Sequence, residues 1–130
     1  MRRSLGIQVE FFADSRFRVD RRVVRNAVGE LLGQFGMADQ PILIEVTLVG
    51  NRKMRQLNRK HREIDKPTDV LSFPLEDHLP GPDGMIHLGD VIVSYPEARH
   101  TAFKMNRLVD QVISDLVLHG VKHLLGQHHD

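Results

Sequence analysis

Cysteine is absent from this chain. That excludes disulfide staples, thiolate catalysis and cysteine-based zinc fingers. Tryptophan is absent too, and there is a single tyrosine. A nucleic-acid surface here has few flat platforms for bases and must lean on shape and backbone contacts. Long apolar runs are also missing. Val91-Ile92-Val93 and Leu116-Val117-Leu118 are representative, far short of the roughly 20 residues that cross a bilayer. Arg2 and Arg3 precede Leu5-Gly6-Ile7, but Glu10 interrupts before the apolar stretch of a secretory signal develops. The expectation is a cytoplasmic protein with no membrane partner.

What is present suits one folded domain over residues 1–130. The 130 residues are 41% hydrophobic and 27% charged, enough to organise a core without staples. The net charge of +1 hides an asymmetry. Residues 1–62 hold 13 Lys/Arg and 6 Asp/Glu, whereas residues 63–130 hold 5 and 11. Arginine outnumbers lysine, 13 to 5, and its planar fork matches phosphate better than an ammonium does. Histidine is concentrated as well: four of the eight fall within residues 119–130.

Alternation of Leu5, Ile7, Val9 and Phe11 predicts a strand over 5–11. Asp20 is placed to cap a helix over 21–35, with Gly36 as its stop. A β-branched run, 42–49, predicts a second strand, and Asn51 is placed to cap a helix over 52–62. Short strands are expected over 69–74 and 86–94, separated by a turn-rich loop around Pro80-Gly81-Pro82-Asp83-Gly84. Pro96 suits the first turn of a short helix to about 103, and Asn106 is placed to cap a long last helix to about 125. The order β-α-β-α-β-β-α-α predicts an α+β fold with a mixed sheet.

The last helix carries the most specific signal. His119 and His123 are four residues apart, so their rings stack on one helix face. Gly126 permits a chain reversal, and His129 follows it. His-x₃-His-x₂-Gly-x₂-His is the ligand spacing of the metzincin peptidases. Three imidazoles leave one position open on a four-coordinate zinc ion, the arrangement of a catalytic site. Nickel, copper and iron also suit imidazole. Imidazole ligates only when neutral, so metal affinity should fall as pH drops below about 6.5. A zinc peptidase carries glutamate directly after the first histidine as general base. Here that position is Gly120, so amide cleavage would need another base, such as Asp115 or Asp130.

A second signal lies in the 52–62 helix. Arg52, Lys53, Arg55, Arg59, Lys60 and Arg62 occur there with no acid. Arg52, Arg55, Arg59 and Arg62 follow a 3-4-3 spacing and form one stripe. Such a stripe is either a solvated helix face or a contact for a phosphate backbone.

Taken together, His61-Arg62, the segment Asp65-Lys66-Pro67-Thr68-Asp69-Val70-Leu71-Ser72-Phe73-Pro74, then Leu88-Gly89-Asp90-Val91-Ile92-Val93 and the histidine motif resemble the YbeY family of bacterial endoribonucleases. The resemblance covers about residues 50–130. It implies a four-stranded mixed sheet with a metal site at the end of the last long helix. It implies a zinc-dependent endoribonuclease that prefers single-stranded RNA and acts in 16S ribosomal RNA 3′-end maturation and ribosome quality control. Its three zinc ligands fall on His119, His123 and His129, and its functionally important arginine falls on Arg62. The other stripe residues, Arg52, Arg55 and Arg59, would hold the strand. The chain departs from the family at His128, where aspartate is usual, and at Lys122, where leucine is usual. Family members continue into a further C-terminal helix, which the resemblance implies is missing after Asp130. Two other readings compete. One is a zinc-stabilised module that binds ribosomal RNA or a ribosomal protein without catalysis. The other is a metallopeptidase with an unrecognised base.

Overall fold

Period-two burial builds the sheet. In β2, Ile42–Val49, the residues Ile42, Ile44, Val46 and Leu48 all face the main core. Parallel partners flank it: β1, Ile7–Ala13, on one side and β4, Ile86–Ser94, on the other. The fourth strand, β3 (Val70–Pro74), runs antiparallel to β4 at the far edge. The order is therefore β1-β2-β4-β3, a mixed four-stranded sheet. With four helices it makes the expected α+β domain. The protein is described by a computed structural model over residues 6–63, 68–75 and 80–126.

The helices are α1 (Arg21–Gln34), α2 (Asn51–Arg62), α3 (Tyr95–Met105) and α4 (Val109–Leu124). Helices α1, α3 and α4 bury Val24, Val28, Leu32, Ala98, Ala102, Ile113, Val117 and Val121 against one sheet face. Helix α2 adds nothing to that cluster. Its Met54 is fully buried outside it, and its His61 ring lies 4.7 Å from the ring of Phe73 on β3. Alternation puts Phe73 on the face opposite Ser72, which pairs with the core-facing Val91. Helix α2 therefore covers the second face of the sheet.

A bulge shapes the start of β4. Leu43 pairs with His87 and Ile44 with Gly89, so Leu88 is an extra residue. Gly89 has φ +144, and a Cβ there would collide with the Phe73 carbonyl and approach Leu124 Cδ2 to 2.8 Å. Only glycine allows β3, β4 and α4 to converge at this point.

Two expected caps are corrected. Asp20 caps α1 as expected, accepting from the Arg22 N–H at 3.1 Å. Asn51, however, is the first residue of α2, and Gly50 holds the cap position. The Asn51 side chain instead accepts a hydrogen bond from Ser94 Oγ at 2.9 Å. Asn106 does not open α4. It closes α3 in the left-handed conformation, φ 53, and α4 starts after Leu108. Asparagine serves either end of a helix, because its short amide both caps an N-terminus and tolerates left-handed backbone. The first strand runs two residues later than expected, from Ile7 to Ala13, and Leu5 lies outside the described residues.

Candidate active site

Helix α4 lies on β4 because residue 120 is glycine. A Cβ at Gly120 would stand 2.7 Å from Val91 Cγ1, inside any real contact distance. The close approach carries the next turns of α4 over the edge strand. His119 and His123 are stacked there, with ring centroids 4.7 Å apart and planes at 45°. The His119 residue is exposed, His123 is half-buried, and Nε2 of His123 is buried. Gly120 thus has a packing role, and the glutamate of a zinc peptidase has no room at this position.

Arg62 arrives from the other layer. It is the last residue of α2, and Glu63 ends the helix in left-handed backbone, φ 58, with its N–H on the Arg59 carbonyl. That conformation is uncommon for a residue with a side chain, and it turns the chain directly after the arginine. The returning segment is tied to the sheet at Asp69, whose carbonyl accepts from the Ser94 N–H at 2.9 Å. Thr68 and Asp69 then lead into β3.

These parts enclose a cleft of about 450 Å³, lined by Arg62, Thr68, Asp69, Val70, Leu71, Ser72, His119, Gly120 and His123. Helical spacing pointed to His119 and His123 and the family resemblance to Arg62, and the fold puts all three on one cavity. The other stripe arginines, Arg52, Arg55 and Arg59, are exposed and do not line the cleft. Thr68, Asp69 and Ser72, which the sequence offered only as parts of the family-like segment and of a strand over 69–74, line the cleft too. Alternation in β3 was the available signal, since Ser72 shares the α4 side of the strand with Val70.

Two facing imidazoles, one with its Nε2 buried, are donors suited to a borderline transition metal such as zinc. They supply half of a tetrahedral set. Among the described residues, no group of three or more His, Asp or Glu is placed to hold a metal ion. His128 and His129 lie outside the described residues, as does the Asp65-Lys66-Pro67 part of the preceding motif. Lys122, the unusual residue beside His123, is half-buried. No helix among the described residues is long and apolar enough to cross a membrane.

Comparisons with known proteins give the chain a family. Residues 12–130 match the family described as Endoribonuclease YbeY. An Endoribonuclease YbeY from Dehalococcoides mccartyi is 39% identical over 103 residues, covering 71% of this chain and 60% of that protein. One from Bacillus cereus is 35% identical over 127 residues, covering 91% of this chain and 81% of that protein. The chain therefore spans about three-fifths of the length of the Dehalococcoides relative. Among solved structures, a Thermotoga maritima protein determined in solution superposes with a TM-score of 0.59 at 22% identity, over 95% of this chain and 75% of that one. That likeness is one of fold. With a family match over nearly its whole length and a cleft where the motif residues meet, the chain belongs to the Endoribonuclease YbeY family.

Proposed function

We propose that this chain is a metal-dependent endoribonuclease that cuts single-stranded RNA, with ribosomal RNA 3′-end maturation and ribosome quality control as its setting. The observation that carries the reading is the convergence of Arg62, His119 and His123 on one open cleft of about 450 Å³. That volume lies in the ordinary range for small-ligand sites and suits one nucleotide of a longer strand.

Each residue has a task in phosphodiester cleavage. His119 and His123 would hold the metal, with His129 as third ligand, and the metal when bound supplies Lewis acidity at the scissile phosphate. Arg62 presents a planar fork of N–H donors to non-bridging phosphate oxygens and neutralises the charge that builds on them in the transition state. The hydroxyls of Thr68 and Ser72 offer hydrogen bonds on the β3 side of the cleft. The outlying arginines of α2 extend positive charge beyond the cleft and hold the strand without reading its sequence. A peptidase is disfavoured by packing: the position of its general base is Gly120, pressed on Val91.

The test is cleavage of single-stranded RNA by the purified chain, with and without chelator. Removing one preorganised donor typically costs about a hundredfold or more in kcat, so Arg62→Ala should fall by that order. Arg62→Lys should recover only part, because an ammonium lacks the fork. Chelator and His119→Ala should abolish cleavage. Equal cleavage by all of these preparations would refute the reading.

A further inference from the structure

A second group of arginines stands apart from the cleft. Arg16, Arg18, Arg21, Arg22 and Arg25 lie between the end of β1 and the middle of α1, and all five are exposed. Strand β1 is the sheet edge opposite β3, roughly 14 Å away at three strand spacings. Two of the five are neutralised locally. Arg16 pairs with Asp14 at 3.0 Å, and Arg22 stands 3.6 Å from Asp20. Among the described residues, Arg18, Arg21 and Arg25 form no ion pair.

The side chains of Arg21 and Arg25 are held rather than loose, and Arg18 stands on anchored backbone. The guanidinium carbons of Arg21 and Arg25 lie 5.4 Å and 5.6 Å from the centre of the Phe11 ring. Like charges four apart on a helix repel, and the negative face of the ring offsets that repulsion. Arg25 Nε also donates to the Val9 carbonyl at 3.4 Å. Arg18 sits on a loop fixed to the body of the protein. Tyr95 Oη donates to the Arg18 carbonyl at 2.7 Å, the rings of Phe17 and Tyr95 are 4.9 Å apart, and the Asp20 N–H donates to Asp110 Oδ1 at 3.1 Å. Between loop and helix opens a cavity of about 340 Å³, lined in part by Phe11, Phe17, Arg18 and Arg21. Its one acid, Asp14, is engaged by Arg16.

We propose that Arg18, Arg21 and Arg25 form a second RNA-binding site, which grips the phosphate backbone of the substrate at the sheet edge opposite the cleft. The proposal rests on reading the substrate as RNA. The guanidiniums of Arg21 and Arg25, placed over a ring and in no ion pair among the described residues, are preorganised for phosphate, and the anchored loop that carries Arg18 loses little freedom on binding. An RNA long enough to pass around the sheet engages both sites, so its affinity exceeds what either site gives alone. A short oligonucleotide in the cleft does not reach the second site.

The experiment compares the whole chain with the triple variant Arg18→Ala, Arg21→Ala, Arg25→Ala. Both carry His119→Ala to prevent cleavage, and binding of a long and a short fluorescent single-stranded RNA is followed by anisotropy over a salt series. Loss of three phosphate contacts should make the log–log salt slope for the long RNA shallower by about two units. Affinity for the long RNA should fall by about tenfold at moderate salt, and the short RNA should bind both proteins equally. A second variant, Arg18→Lys, Arg21→Lys, Arg25→Lys, should keep most of the salt slope, which separates charge from damage to the fold. An unchanged slope and affinity for the long RNA in the alanine variant would overturn the proposal. So would loss of binding to an acidic polypeptide with RNA binding intact, which would assign the patch to a protein partner. Failure of the nuclease reading is distinguishable, since wild-type chain would then cut no RNA while the binding difference persisted.

Discussion

At the residue scale, the cleft depends on a hydrogen atom where other residues carry a methyl group. The Cα of Gly120 packs on Val91 at the spacing that sets how far α4 sits from the sheet. A methyl there must displace the rigid, β-branched Val91 side chain, which is itself fully buried. Overpacking of this kind costs about 1–3 kcal/mol. Gly120→Ala should lower stability by that amount, measured as the shift in urea midpoint at unchanged slope. It should also displace His119 and His123 relative to Arg62, so cleavage should fall more than the loss of folded protein explains. The histidine pair was legible from spacing alone, because four residues on a helix is a fixed geometry. The role of Gly120 was only half legible. Its lack of a side chain excluded a general base, but the valine it touches comes from a strand nearly thirty residues earlier.

At the element scale, the junction of β4 and α3 ties both sheet faces together. Ser94 is fully buried. Its hydroxyl accepts from the Glu97 N–H at 3.3 Å, capping α3, and donates to Asn51 at the start of α2 at 2.9 Å. Its N–H holds Asp69 beside β3. Replacing a serine cap by alanine costs about 0.5–2 kcal/mol. Ser94→Ala should fall at the upper end, because Asn51 also loses its donor. Thermal unfolding checks this, and a loss below the range would mean the hydroxyl bonds are marginal. The elements themselves were largely readable. Alternation, a β-branched run, and cap, proline and turn residues between them located the strands and helices described, and β2 begins and ends where its β-branched run does. The misread caps, Asn51 and Asn106, failed because local chemistry allows asparagine at either end of a helix. What decides is tertiary: Ser94 claims the amide of Asn51, and α3 ends where Asn106 can turn left-handed.

At the scale of the whole molecule, the sheet order decides what meets what. Arg62, Ser72 and His123 come from three elements in three layers, and they share a cleft only because β3 is the edge strand beside β4. Strand order is a long-range property, so local pattern could nominate the site residues but not their meeting place. The sheet also brings acids together. Glu10, Glu45 and Asp90 are register partners across β1, β2 and β4. The carboxyl of Glu45 is raised above its ordinary value of 4.5, first by its hydrogen bond with Asp90, then by burial and by the charges of Asp90 and Glu10, with His87 opposing. The folded chain therefore keeps a proton that the unfolded chain releases. The contribution of Glu45 to stability is therefore greatest below the ordinary glutamate range and falls as pH rises through it, levelling off above the raised value. Glu45→Gln cannot ionise, so its stability should decline less from acid to neutral pH, as read by urea midpoints at both. A decline equal to that of the parent chain would show that the pair holds no extra proton.

The central claim is that the two stacked imidazoles beside Arg62 hold a metal ion used in RNA cleavage. The most direct measurement is elemental analysis of the purified chain beside His123→Ala, each prepared without added metal and shown to be folded. The account predicts near-stoichiometric transition metal, zinc foremost, in the parent chain and its loss from the variant. Equal metal content in the two proteins would contradict it.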